Sequence, residues 1–387
     1  MSSEYGGSSA SGKSSSSTGG FLFGIVLFLA SFPVLFYNEG NAVNMARALD
    51  EGKGAVVSLA DPIPNPAQED NLVHFTGTAV TDDVMTDGYT GLTMRAIKLH
   101  RIAEMYQWQE TTRKKEERTE YYYDKVWSQA QLNSSNYHNQ SYSNPSTMRV
   151  VSEWYKAEDV FVGEFKLSST LISAIGNSQS YPVTEDMYEQ FSDSLRSEAL
   201  LYSGVLYLGS SPQNPIIGDI KVSYQVYPEQ EVSVVAMQQN GRAVGFTTTN
   251  GRVLEILYSG FKTADQIFAT EQTKNVILTW VIRGAGIMLM YVGLMLSVGQ
   301  LARLFSWIPL LGAAVASGIA LMAGLLSISL SFIVISVAWI FYRPTLGIGL
   351  LLVAGFLVFV LIKKAQWMDD DDEISTEPPP PPPLPVP

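Results

Sequence analysis

The sequence predicts an α+β membrane protein, with four transmembrane helices and a mainly β extracytosolic domain between the first and second. Three observations lead there. Only 16% of the 387 residues are charged, against about 25% in soluble proteins, so part of the chain belongs in lipid. The apolar residues concentrate in 21–37 and 276–362, and the stretch between them has ordinary polarity. That middle stretch is a succession of short runs rich in Val, Tyr, Phe and Thr, the composition of strands.

Residues 1–20 are Ser/Gly-rich and read as a disordered tail. "FLFGIVLFLASFPVLFY" (21–37) follows without a charge, near the lower length limit for a transmembrane helix. A retained anchor fits it better than a cleaved signal peptide, because no small-residue cleavage site follows Tyr37.

Residues 38–275 form the soluble domain. A short helix fits 41–53, and the prolines of "ADPIPNPAQ" (60–68) make a rigid surface connection. Strands are expected at 72–80, 95–109, 119–128, 148–154, 160–167, 200–208, 218–227, 231–238 and 252–258. An amphipathic helix fits 184–197, capped by Thr184, with Met187, Phe191 and Leu195 on one face. "QNGR" and "TNGR" offer Asn-Gly turns. A weak echo between "NLVHFTGTAV" with its following strand and "ALLYSGVLYL" with its own would fit a duplicated β unit.

The last third is membrane. Residues 276–301 are apolar apart from Arg283, 307–342 are uncharged and long enough for one long or bent helix, and 345–362 make a fourth span after "RP". Residues 363–387 form an acidic, proline-rich disordered tail. Counting Lys and Arg near the span ends leaves Lys13, Arg303, Lys363 and Lys364 on one side, which puts both termini in the cytosol and the domain outside it.

The net charge of −12 argues against nucleic acid as a partner, since that binding runs on Lys and Arg. With no cysteine in the chain, disulfides, thiolate metal sites and cysteine nucleophiles are excluded. The three histidines, His74, His100 and His138, lack metal-ligand spacing. No nucleophile elbow, phosphate loop or dinucleotide fingerprint occurs. The sequence therefore calls for no catalytic residue, no metal and no cofactor.

The densest cluster of reactive side chains is "AIKLHRIAEMYQWQE" (96–110). It reads as one strand of a long hairpin with "TEYYYDKVW", in which Tyr106, Trp108, Tyr121 and Tyr123 would stack across strands. That face is also the candidate partner surface. A second candidate lies at the membrane, where Glu39, Arg283 and Arg343 meet one interface. A charge in the bilayer costs about 2.5–3.5 kcal/mol on insertion scales, so Glu39 is expected to pair with Arg283 or Arg343. Trp280, Trp307, Trp339, Tyr342 and Trp367 lie near span ends as interface anchors. Gly284, Gly286, Gly293, Gly312 and Gly318 favour close helix packing, within the chain or between copies. Asn133 and Asn139 stand in glycosylation sequons, usable if the domain is lumenal.

Several motifs occur in one order: "FYNEG", "VHFTG", "AIKLHRIAEMYQWQE", "TEYYYDKVW", "NPSTM", "VGEFKLSS", "IIGDIKVSY", "TWVIRGAG" and "FYRP". The chain thereby resembles the LUMA (transmembrane protein 43) family, over roughly residues 21–362. The resemblance implies four spans, a large lumenal domain after the first, and residence in the endoplasmic reticulum and inner nuclear membrane. It also implies self-association and a scaffold role in nuclear envelope organisation, with lamins and emerin as partners in a eukaryote. Bacterial relatives would place it in the plasma membrane instead. The tail "DDDDEISTEPPPPPPLPVP" departs from the family pattern and favours a polyproline II helix of the kind that SH3, WW and profilin-type grooves bind. The expectation is a non-enzymatic, self-associating membrane scaffold in contact with lipids. A lipid-binding or lipid-sensing protein is the alternative, and a channel component comes after that.

Overall fold

The computed structural model describes residues 15–115, 118–304 and 309–345, with 348 and 356. It divides into two units, one of residues up to Arg47 and from Gln272 onward, the other of Ala48–Glu271.

The first unit is helical. Three long helices, Ser15–Ala55, Ala264–Leu304 and Pro309–Tyr342, run through it. Within them three stretches are long and apolar enough to cross a membrane: Gly19–Ala55, Ala264–Ser297 and Ala320–Tyr342. Among the described residues the candidate spans thus number three rather than four, and the expected fourth, 345–362, lies largely outside them. The first helix differs from expectation by running on without a break into the short helix expected at 41–53. Nothing between Tyr37 and Ala55 is a strong helix breaker, and a glycine costs a helix only about 1 kcal/mol. The stretch expected at 307–342 as one long or bent helix is a single helix from Pro309.

Glycines set the helix contacts. A Cβ on Gly293 would lie 2.5 Å from the backbone nitrogen of Phe28, and one on Gly286 would lie 2.5 Å from a Leu35 methyl. Gly40 leaves room for the Tyr342 ring against its backbone. Of the other predicted packing residues, Gly284 and Gly318 have open space around them.

The second unit is mainly β. Strand Leu72–Val80 pairs antiparallel with Gln230–Gln239 and, at its far end, with Phe161–Val162. Phe161–Val162 turns through Gly163 (φ 58°) into Phe165–Leu167, which runs parallel to Arg242–Val244. Arg242–Val244 is the hairpin partner of Gln230–Gln239, so five strands close into a ring. The turn of that hairpin is Asn240-Gly241, both at positive φ (51° and 72°), as a two-residue hairpin turn requires. Phe75 and Phe165 stack at 4.2 Å inside, with Val73, Val162, Val234 and Leu171 around them.

The second sheet is built on Lys98–Lys115, paired with Ile220–Tyr227 on one side and Arg118–Ser128 on the other. Val205–Leu208 and Leu200–Tyr202 extend it. Burial alternates strictly along Ile220–Tyr227, the mark of a sheet with one face on a core. Leu99, Ala103, Met105, Leu206 and Val222 form that core with Phe191 and Leu195. Phe191 and Leu195 do not share one helix as expected. Thr184 caps Glu185–Glu189, but Ser192 accepts from the Leu195 N–H and starts a second helix, Asp193–Glu198. The supposed repeat is not a repeat of positions either. Leu72–Val80 lies in the ring, whereas its counterpart Val205–Leu208 lies in the second sheet.

Candidate functional site

Among the described residues of the helical unit, a polar centre ties the three long helices together. Asn38, Glu39 and Gly40 follow each other in the first long helix, Thr279 and Arg283 lie one turn apart in the second, and Trp339 and Tyr342 close the third. The Glu39 carboxylate is 2% exposed and accepts from Arg283 Nε at 2.6 Å and Nη2 at 2.8 Å, and from the Trp339 indole at 2.8 Å. The two guanidinium bonds are side by side, the strongest arrangement open to an arginine and a carboxylate. Arg283 also lies 4.6 Å from the Trp280 ring centre and 5.9 Å from that of Trp339, close enough for cation–π attraction.

Side chains tie the helices further at the same level. Asn38 donates to the Thr279 carbonyl (3.2 Å), Asn275 to that of Ala42 (2.9 Å) and Arg47 to that of Tyr342 (2.7 Å). Of the deeper hydroxyls, Ser31 and Ser327 donate within their own helices to the Phe28 and Ala323 carbonyls, and Ser331 donates across to the Met290 sulfur of the second long helix. The expected choice for Glu39 thus falls on Arg283. Arg343 takes no part in the centre; its backbone N–H continues the third helix onto the Trp339 carbonyl. Chemically the arrangement neutralises a charge and holds three helices together, with both carboxylate oxygens of Glu39 accepting hydrogen bonds.

The candidate partner surface on the hairpin is arranged differently from expectation. The register sets Tyr106 opposite Trp127, Trp108 opposite Lys125, Glu110 opposite Tyr123 and Thr112 opposite Tyr121, so the four aromatics do not stack on one another. Tyr106 packs on Trp127 at 5.0 Å. The other three take partners from the following loop: Tyr123 stacks on Tyr142 (4.0 Å), Tyr121 on His138 (4.1 Å), and Trp108 meets Tyr142 edge-on (4.7 Å). Glu110 fastens that loop by accepting from the Tyr123 hydroxyl and the His138 N–H, both at 2.6 Å. Much of the face is therefore covered by the protein's own chain. Asn133 and Asn139 are exposed on the same loop, each accepting the N–H two residues on.

His100 stacks flat on Trp154 at 3.9 Å. Arg101, its neighbour, points to the other face and ends in a buried network that the sequence did not reveal. Asp87 is fully buried and pairs with Arg101, while Tyr224, Tyr155 (2.8 Å) and Thr90 (2.9 Å) donate to it. Burial pulls the Asp87 pKa upward, but bonds from Tyr224, the Tyr89 N–H and Tyr155, with the Arg101 charge, outweigh it and hold the group below the ordinary carboxylate value. Tyr155 is pushed up to about 12, first by burial and then by Asp87 and Glu153. The only local hint was "TDGYTG", an Asp-Gly turn. Its partners lie up to 137 positions away, beyond the reach of any spacing rule. Among the described residues no group of three or more His, Asp or Glu is arranged to hold a metal ion.

Comparison with known proteins is consistent with this architecture. The transmembrane protein 43 family profile matches residues 105–344. A human protein named transmembrane protein 43 is 33% identical over 374 residues, covering 91% of each chain. The chain belongs to the transmembrane protein 43 family. A mouse protein of the same name is 32% identical and covers 85% of this chain and 86% of its own; a fruit fly homologue is 28% identical, with 86% and 91% covered. No solved structure matches the chain. The family assignment makes the protein a membrane protein and carries no catalytic activity with it.

Proposed function

We propose that this protein is a non-enzymatic integral membrane scaffold that self-associates and organises membrane protein complexes, with both termini cytosolic and the β unit extracytosolic. In a eukaryote it would work in the endoplasmic reticulum and inner nuclear membrane, with lamins and emerin as partners, and its tail would offer a polyproline ligand to SH3, WW or profilin-type modules. The observation that carries the reading is the Glu39–Arg283–Trp339 centre, which spends its intramembrane charge on holding helices together. A transport path or a catalytic site needs such charges free to meet a substrate or ion. The buried Asp87–Arg101 pair of the β unit is likewise enclosed by its own partners.

Two differently tagged full-length copies, co-expressed and gently solubilised, test the scaffold reading. Each tag should recover the other copy together with further membrane proteins. Recovery of single copies alone, at any detergent gentle enough to keep the helices folded, would overturn it.

A further inference from the structure

An apolar groove of about 500 Å3 lies between the first and third long helices, lined by Phe32, Pro33, Phe36, Tyr37, Ile333 and Val337 among others. Tyr37, Ile333 and Val337 are each more than half exposed, so the groove opens outward. Both walls belong to stretches apolar and long enough to cross a membrane, which makes the surrounding solvent hydrocarbon. Water does not settle in an apolar groove, and the abundant apolar molecules at that depth are acyl chains.

The chemistry changes at one end of the groove. Phe36 packs against the Phe341 and Tyr342 rings at 5.8 and 5.3 Å, and two arginines lie beyond these rings along the chain. Arg47 donates to the Tyr342 carbonyl, and Arg343 is the next residue in the chain. Arg283 is neutralised by Glu39, whereas neither Arg47 nor Arg343 meets a carboxylate among the described residues. Six positions separate Val337 from Arg343, about 9 Å at the helix rise of 1.5 Å per residue. That matches the step from the upper acyl carbons of a phospholipid to its phosphate.

We propose that this groove binds an acyl chain of an anionic phospholipid, whose phosphate is held by Arg47 and Arg343. The site stands apart from the scaffold reading, and either can fail alone.

The test uses the full-length protein in nanodiscs made of equal parts phosphatidylcholine and phosphatidylglycerol, with gentle extraction and native mass spectrometry of the lipid retained. The wild type should keep phosphatidylglycerol over phosphatidylcholine by roughly thirtyfold, the scale expected of two interfacial cations. Arg47→Gln with Arg343→Gln should keep a lipid but without preference. Val337→Trp, which fills the groove, should keep neither. Ile333→Trp serves in its place if the Val337 variant melts far below the wild type. Excess glycerol phosphate should not displace the lipid, because the acyl chain anchors it. Retention in the supplied ratio by the wild type, unchanged retention in the groove-filled variant, or displacement by glycerol phosphate would each overturn the proposal.

Discussion

Glu39 and Arg283, 244 positions apart in the chain, meet through two parallel hydrogen bonds of 2.6 and 2.8 Å, and the Trp339 indole completes the carboxylate from a third helix. Each residue alone would be a costly intrusion into lipid. Together they make the polar centre that fixes how three helices meet. Five predictions rest on this centre, on the helix contacts beside it and on the β unit.

Replacing Gly293 should loosen the helix pair it joins. Its Cβ would collide with the backbone of Phe28, and neither helix backbone can move without breaking other contacts. Gly293→Leu is expected to cost about 1–3 kcal/mol, the usual range for overpacking. Gly284→Ala, with open space around it, should cost nothing. Thermal melts in detergent, read side by side, compare the two; equal losses would count against close packing at Gly293.

Removing one partner of the buried pair in the β unit should be severe. Asp87→Ala leaves the Arg101 guanidinium, whose side chain is 4% exposed, with only the half-exposed Glu153 carboxylate as counter-charge. Breaking such a pair costs about 3–5 kcal/mol. Asp82→Ala removes a fully exposed carboxylate beside Arg95 and should leave stability nearly unchanged. Limited proteolysis of the β unit reads the difference, and equal resistance of the two variants would contradict the central place given to Asp87.

The β unit should weaken as pH falls from neutrality. Burial presses the pKa of His74 and of His100 below the ordinary 6.5, although the Lys262 carbonyl acted on by His74 works the other way. The unfolded chain then takes up protons first. Stability is complete above about 6.5 and is lost as pH drops from there through the folded values. Asp87, also lowered, adds a loss of the same sign further down, below the ordinary carboxylate value of 3.8. His74→Gln should flatten part of the melting-temperature slope between about pH 7 and 5. A slope identical to that of the wild type would remove His74 from the account.

The orientation proposed for the β unit is open to a direct test because the chain has no cysteine. Ser134→Cys and, separately, Ser375→Cys give single sites for a membrane-impermeant maleimide. After selective permeabilisation of the plasma membrane, Ser375→Cys should label and Ser134→Cys should stay protected. The inverse pattern would put the β unit in the cytosol or nucleoplasm and reverse the charge-based orientation.

Much of this fold was legible because its signals are local. Strands occupy eight of the nine stretches that Val-, Tyr- and Thr-rich runs marked out, the ninth (148–154) forming a strand only from Glu153 to Lys156, and Asn240-Gly241 makes the turn its dipeptide favours. Where reading went astray, the deciding contact was distant. Ser192 as a cap divides the 185–198 region because Phe191 and Leu195 are both drawn into one core. Tyr121 and Trp108 turn to His138 and Tyr142 because Glu110 fastens the covering loop. The Glu39 centre was half legible. Charge in an apolar stretch announces a need for a partner, and two arginines were available. Only the helix packing set by Gly40, Gly286 and Gly293 selects Arg283.

The most direct measurement is a double-mutant cycle on Glu39 and Arg283, with reversible unfolding of the full-length protein in detergent. Glu39→Gln and Arg283→Gln should each be strongly destabilising, by about 3–5 kcal/mol. The double variant should lose less than the two together, with a coupling of about 1–3 kcal/mol. Additive losses, within about 0.5 kcal/mol, would mean that the two charges act independently and that no shared centre holds the helices.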